Sequence, residues 1–210
     1  MSARTPRIGV FGGAFDPPHN GHVALAQSAI ADLSLDQLLV VPTGQAWHKA
    51  RTLSPPEHRL AMARLAFDGV PKVQVDAREM QRVGPSFTVD TLQSLHLENP
   101  EAELFLIMGA DQLAVFRQWH QWQVILELAI ICIADRAINT VTTGLFDGYL
   151  EQKHRFLMLQ MPLTPISATQ IRQLLADSPA HTAQISHLVS PAVARYIASH
   201  QLYSAGQAVR

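Results

Sequence analysis

Residues 12 to 22 read Gly12-Gly13-Ala14-Phe15-Asp16-Pro17-Pro18-His19-Asn20-Gly21-His22, a turn-forming run that ends in two imidazoles three positions apart. A glycine turn lets a phosphate come close to the backbone. The N–H groups and positive end of a following helix then hold the anion. His19 and His22 have the spacing to project from one side of a first helical turn, as donors for a polyphosphate. A metal reading of the pair needs a third and fourth ligand, which no nearby Cys or His-Glu-x-x-His pattern supplies. A second run, Ile166-Ser167-Ala168-Thr169-Gln170-Ile171-Arg172, follows Pro162 and Pro165. Ser167 is a plausible N-cap, and Leu174 and Leu175 continue an apolar helix face. Two hydroxyls at a helix start, with Arg172 one turn on, make a second anion cradle. Alone, that run reads as an ordinary capped helix with a surface arginine. Beside the first run, it sets two phosphate-binding helix ends at opposite ends of the sequence, where they can grip one nucleotide from both sides.

Those ends need a scaffold, and the chain alternates strand-like and helix-like segments throughout. The strand candidates are residues 7–11, 37–41, 73–76, 104–108, 130–134 and 156–160. They are mostly continuous apolar runs, as expected of parallel strands buried on both faces. Ser54-Pro55-Pro56-Glu57 has the spacing of a capping box with proline at the first helical position, opening a helix to about Phe67. Residues 88–97 place Val89, Leu92 and Leu95 on one helix face, and Ser190-Pro191 opens a last helix carrying Val193, Tyr196 and Ile197. Residues 138–154 read as a loop with a short helix. This order predicts a single α/β domain, a doubly wound and mainly parallel Rossmann-like sheet with its core at about residues 7–203. Ligands of such sheets bind beyond the carboxyl ends of the strands.

Composition narrows the function classes. A chain of 210 residues is long enough for one substantial core, and its net charge of −1 offers no basic footprint for nucleic acid. The apolar stretch at residues 125–134 holds Glu127 and is too short to span a bilayer, and no signal peptide is read at the start. One cysteine, Cys132, excludes an internal disulfide framework and reads as a buried small hydrophobe. The expectation is a cytoplasmic protein with no nucleic-acid or membrane partner.

The two end runs carry a family resemblance. Gly12 to His22 resembles the GGxFDPxHxGH signature of the nucleotidyltransferases with a His-x-Gly-His motif, and Ile166 to Arg172 resembles their ISxTxIR motif. Three internal runs are similar to those of the bacterial nicotinate-nucleotide adenylyltransferases. They are Ser86-Phe87-Thr88-Val89-Asp90-Thr91-Leu92, then Gly109-Ala110-Asp111 with Phe116, Trp119 and Trp122, and His48-Lys49. The likeness runs from residue 8 to about 203 with the motifs in family order.

The resemblance implies transfer of AMP from ATP to nicotinate mononucleotide, giving nicotinate adenine dinucleotide and pyrophosphate, in NAD biosynthesis. It implies direct in-line attack with no covalent intermediate, so no general base is sought among the residues. His19, His22, Lys49 and Arg172 are the candidate catalytic residues, with His22 near the α-phosphoryl. ATP is expected at Gly12, Gly13, Phe15, Asp16, His19, His22, Gly109, Asp111, Ile166, Ser167, Thr169 and Arg172. The mononucleotide is expected at Lys49, Ser86, Thr88, Trp119 and His120, its pyridine ring stacked on Trp119 and its carboxylate on backbone N–H groups. Trp122 is assigned to packing. Magnesium should accompany ATP through phosphate oxygens and water, with no dedicated protein metal site. Asp16 reads equally as a contributor behind the metal's ligands or as a turn former bonding its own backbone.

The sequence departs from the family in three places. Ala14 stands where Thr is usual, Ala46-Trp47 replace the prolines before His48-Lys49, and Arg136-Ala137-Ile138 replace Arg-Pro-Gly. Competing readings are an amide mononucleotide or phosphopantetheine acceptor, and a non-catalytic nucleotide sensor on the same fold.

Overall fold

The structure is a computed structural model that describes residues 4–44, 53–134, 154–160, 166–177 and 184–204. Among the described residues six strands form one sheet: β1 (Arg7–Gly13), β2 (Gln37–Pro42), β3 (Val73–Val75), β4 (Glu103–Gly109), β5 (Ala129–Ala134) and β6 (Phe156–Leu159). Every pairing is parallel, in the order β3-β2-β1-β4-β5-β6. Side chains alternate across each strand, so one continuous apolar run supplies two cores. Phe11, Leu38, Val40, Phe105, Ile107 and Cys132 enter the core on one face. Val10, Leu39, Val41, Leu106, Met108 and Ile131 enter the core on the other.

Helices cover both faces. On the first, α1 (Asn20–Asp32), α2 (Pro56–Phe67), α7 (Ala168–Asp177) and α8 (Pro191–Ser199) contribute Leu25, Met62, Ile171 and Val193 to the core. On the second, α4 (Thr88–Glu98) and α6 (Trp122–Leu128) contribute Leu92 and Ile125. Two short helices, α3 (Arg78–Gln81) and α5 (Ala110–Ala114), stand on connections. β1 pairs with β2 on one side and β4 on the other, so the winding reverses between β1 and β4. The connections leaving their carboxyl ends diverge there and open a crevice. The glycine run after β1 and Gly109-Ala110-Asp111 after β4 both lie at that point.

One local expectation is corrected. Ser54 does not cap α2: the N-cap is Pro55, with no side-chain cap bond, although Pro56 does occupy the first turn. Ser54 is held instead through its backbone, its N–H by Asp16 and its carbonyl by Arg59. Trp119 and Trp122 do not share a helix. Trp119 closes a short 3-10 turn, Phe116–Gln118, in extended conformation, and Gln121 at φ 51° reverses the backbone before α6 begins at Trp122. Residues 138–154, apart from His154, lie outside the described residues.

Candidate active site

His19 is the N-cap of α1 and His22 its third residue, which places the imidazoles one above the other at the helix start. The rings stack at 3.7 Å between centroids, and the backbone N–H of His19 donates to His22 Nδ1 at 3.1 Å. An Nδ1 that accepts a backbone hydrogen leaves the ring's own hydrogen on Nε2. His22 therefore presents a donor away from the helix. Its ring is also packed edge-on against Phe15, 5.1 Å between centroids. Phe15 is held at φ 48°, unusual for a non-glycine residue, and is only 1% exposed, wedged between Phe11 and Phe67. That buried wedge is what turns the chain from β1 into α1.

One cavity of about 700 Å³ runs along the crevice. That is the size of a small-ligand site. One part of its wall is Gly12, Gly13, Phe15, Asp16, His22, Ser167, Thr169 and Arg172, with Gly109 and Asp111. Another part is Ser86, Thr88, Trp119 and His120. His19, 3% exposed, is not on this wall: it lies behind His22. Ile166 is also off the wall and packs on the core. Lys49, with His48, Ala46-Trp47 and Arg136-Ala137-Ile138, falls outside the described residues.

Ser167 and Gln170 form the capping box at α7 that the sequence called for at Ser167 alone. Gln170 N–H donates to Ser167 Oγ at 3.2 Å, and Gln170 Oε1 accepts from Ser167 N–H and Oγ at 3.1 Å each. Arg172 Nη2 donates to Thr169 Oγ1 at 3.0 Å, and Nη1 donates to the carbonyl of Asp16 at 2.8 Å. A guanidinium on the 166–172 run is thus fastened to the 12–22 run.

Asp16 is engaged by segments remote in sequence. Its carboxylate is 1% exposed and accepts from the Tyr203 hydroxyl at 2.6 Å and the Ser54 N–H at 3.2 Å. A carboxylate so engaged fits support from behind a phosphate-bound cation better than direct ligation. Among the described residues no group of three or more His, Cys, Asp or Glu side chains is disposed to hold a metal ion.

At the other end, Trp119 packs edge-on against the fully buried Phe116, and His120 lies 4.4 Å from the Phe87 ring. Trp119 Nε1 is buried and has no hydrogen-bond partner among the described residues. Ser86 Oγ donates to the carbonyl of Glu79 at 3.1 Å, and Thr91 Oγ1 donates to Glu79 Oε1 at 2.9 Å. Burial pushes the Glu79 carboxyl above its usual range, against the opposing pull of its bond from Thr91. Gly44 sits against this group so closely that an added Cβ would lie 2.2 Å from the Glu79 carbonyl and 2.5 Å from Ser86 Oγ. Backbone cannot yield there as a side-chain tip would. Gly44→Ala should therefore lose about 1–3 kcal/mol of stability by denaturant unfolding. An unchanged midpoint would refute this close approach.

Three residues of the site carried no functional reading from the sequence: Arg59, Glu79 and Tyr203. Arg59 has a visible signal, a charge on the stripe that also bears Met62, Ala63, Ala66 and Phe67. It is 1% exposed and donates to the carbonyls of Ser54, Ala14, Thr43 and Gly44, at 2.9, 3.2, 2.7 and 3.5 Å. Glu79 and Tyr203 have no comparable local signal.

Fold and cavity together define a nucleotide-handling α/β domain of the nucleotidyltransferase class, and the cytidylyltransferase-like family model matches residues 10–174. A relative named "Probable nicotinate-nucleotide adenylyltransferase" from Albidiferax ferrireducens is 56% identical over 197 residues, 94% of this chain and 98% of its own. One of the same name from Methylibium petroleiphilum is 38% identical over 198 residues, 94% and 92% of the two chains. The chain belongs to the nicotinate-nucleotide adenylyltransferase family. Its fold matches the solved Plasmodium falciparum nicotinic acid mononucleotide adenylyltransferase complexed with NaAD, at TM-score 0.76 and 18% identity, over 94% of this chain and 97% of that one. No helix among the described residues is long and apolar enough to cross a membrane.

Proposed function

We infer that this protein is an adenylyltransferase of NAD biosynthesis, transferring AMP from ATP to nicotinate mononucleotide to give nicotinate adenine dinucleotide and pyrophosphate. The observation that carries this reading is one cavity with phosphate donors from both ends of the chain on one part of its wall and an indole on another. The identity of 56% along nearly the whole length of a relative so named supports the choice of acceptor.

The mononucleotide's phosphate oxygen is anionic near neutral pH and attacks the α-phosphorus in line, without a base. The bond from that phosphorus to the bridging oxygen breaks, and its electron pair leaves on pyrophosphate. The protein's work is to align two polyanions and to meet the charge that develops between them. We assign His22 Nε2–H to the α-phosphoryl oxygens, and Ser167, Thr169 and Arg172 to the β- and γ-phosphates. Gly12, Gly13 and Phe15 supply close backbone, Gly109 and Asp111 the adenosine side, and His19 the ring that backs His22. Lys49 is our candidate for neutralising the acceptor phosphate. Magnesium, entering with ATP on phosphate oxygens and water, would add charge neutralisation on the leaving pyrophosphate.

Trp119 takes the pyridine ring, and backbone N–H groups at Ser86–Thr88 and Trp119–His120 take the carboxylate. Trp119→Ala should raise KM for the pyridine mononucleotide about 10-fold or more, the worth of one ring stacked on an aromatic, and leave KM for ATP nearly unchanged. Equal effects on both substrates would make Trp119 purely structural. The single buried, free Cys132 suits a reducing compartment, and we place the reaction in the cytoplasm.

The deciding assay is pyrophosphate release from ATP and magnesium with nicotinate mononucleotide, the amide mononucleotide or phosphopantetheine. Strong preference for the nicotinate form is expected. Preference for another acceptor would overturn the substrate assignment. ATP binding without release from any of them would make the protein a sensor.

A further inference from the structure

We propose that Tyr203, near the far end of the chain, is a positioning residue for the phosphate-binding Arg172, acting through Asp16. The proposal rests on the ATP-phosphate reading of the site and names a residue that reading does not use.

Three segments remote in sequence converge on Asp16. The Tyr203 hydroxyl donates to Oδ1 at 2.6 Å across 187 positions, and the Ser54 N–H donates to Oδ2 at 3.2 Å across 38. Arg172 Nη1 donates to the Asp16 carbonyl at 2.8 Å across 156. The side chain of Asp16 is thus pinned from two sides, which fixes the direction of its carbonyl. That carbonyl and Thr169 Oγ1 together set the plane of the Arg172 guanidinium. A planar fork is useful to a phosphate only when its plane is set beforehand. Freeing one oxygen of Asp16 lets the residue turn, and Arg172 loses the more buried of these two supports.

Tyr203 is built for this contact. Its backbone is held at φ 66°, and its hydroxyl also lies 3.9 Å from Met62 Sδ on α2. Burial first, and the neighbouring Asp16 charge second, push the hydroxyl far above its usual range. It stays a proton donor across the working pH range. The Ser54 arm is backed in turn by Arg59, whose Nε holds the Ser54 carbonyl at 2.9 Å.

The test is a double-mutant cycle of Tyr203→Phe, which keeps the ring, with Arg172→Ala. Affinity for a non-hydrolysable ATP analogue is measured together with kcat/KM for ATP and KM for nicotinate mononucleotide. Tyr203→Phe should cost about 10-fold in analogue affinity and in kcat/KM for ATP, the range for losing a hydrogen bond to a charged group. KM for the mononucleotide should stay within about 2-fold, and adding Tyr203→Phe to Arg172→Ala should cost less than about 2-fold. The same loss in both backgrounds, or losses shared equally by the two substrates, would overturn the proposal and leave a structural clasp. If Tyr203→Phe does not fold, Asp16→Asn, which removes one acceptor and keeps the shape, is judged by the same criteria. Analogue binding does not depend on the acceptor. A wild-type protein inactive with nicotinate mononucleotide would refute the substrate assignment and leave this test standing.

Discussion

Replacing His22 by Ala should lower kcat by about 10³-fold or more, because it removes the preorganised donor facing the position where charge develops. The ring is held from three sides: stacked on His19, edge-on to Phe15, and accepting the His19 backbone hydrogen at Nδ1. No reorganisation is needed at the moment of reaction, which is the condition for a large electrostatic effect. The same variant loses one bond at the start of α1, worth about 1 kcal/mol, so its melting temperature should drop only a few degrees. Turnover and thermal melting measured on one preparation decide the matter. A near-normal rate would remove His22 from catalysis, and a collapsed melting curve would make it a structural residue.

Arg59→Ala should be the most destabilising single change at the site, by about 3–5 kcal/mol, or roughly 10 °C in melting temperature. The guanidinium is 1% exposed and serves four carbonyls on two connections, that of Ala14 after β1 and those of Thr43, Gly44 and Ser54 between β2 and α2. Its loss takes this donor from four part-buried carbonyls, two of which, Ala14 and Thr43, belong to residues of the cavity wall. Arg59→Lys should recover only a minor part, since one ammonium cannot reproduce a fork that bonds in several directions. Denaturant unfolding of both variants tests this. Full rescue by Lys would show that charge, not geometry, holds the turns together.

Much of the fold is legible in the sequence. The glycine-histidine run sits between a strand and a helix as its residue types required, Pro56 and Pro191 stand in first helical turns, and Ser167 and Ser190 cap their helices. These features depend on neighbours within one turn, so a linear reading reaches them. The four central strands show as apolar runs because parallel strands buried on both faces have no polar side to blur the pattern.

Other assignments failed for lack of the same locality. Ser54 looked like a cap because its spacing fitted, but its backbone is claimed by Asp16 and Arg59, 38 and 5 positions away. Asp16 reads from its neighbours as a turn former or a supporter behind a metal, and nothing local announces its bonds to Tyr203, Ser54 and Arg172. Trp119 and Trp122 stand three positions apart, a left-handed Gln121 separates them, and no feature of that tetrapeptide announces it.

The amino-acid sequence by itself determined an alternating α/β chain with two helix starts whose residue types can offer donors to an anion, because short-range spacing and residue type settle what a helix end presents. Tertiary structure alone decided which imidazole faces the cavity, which carboxylate is engaged in holding the site together, and where Arg172 points. Those depend on hydrogen-bond partners up to 187 positions apart, and only the packing of helices onto one sheet brings such partners within 3 Å.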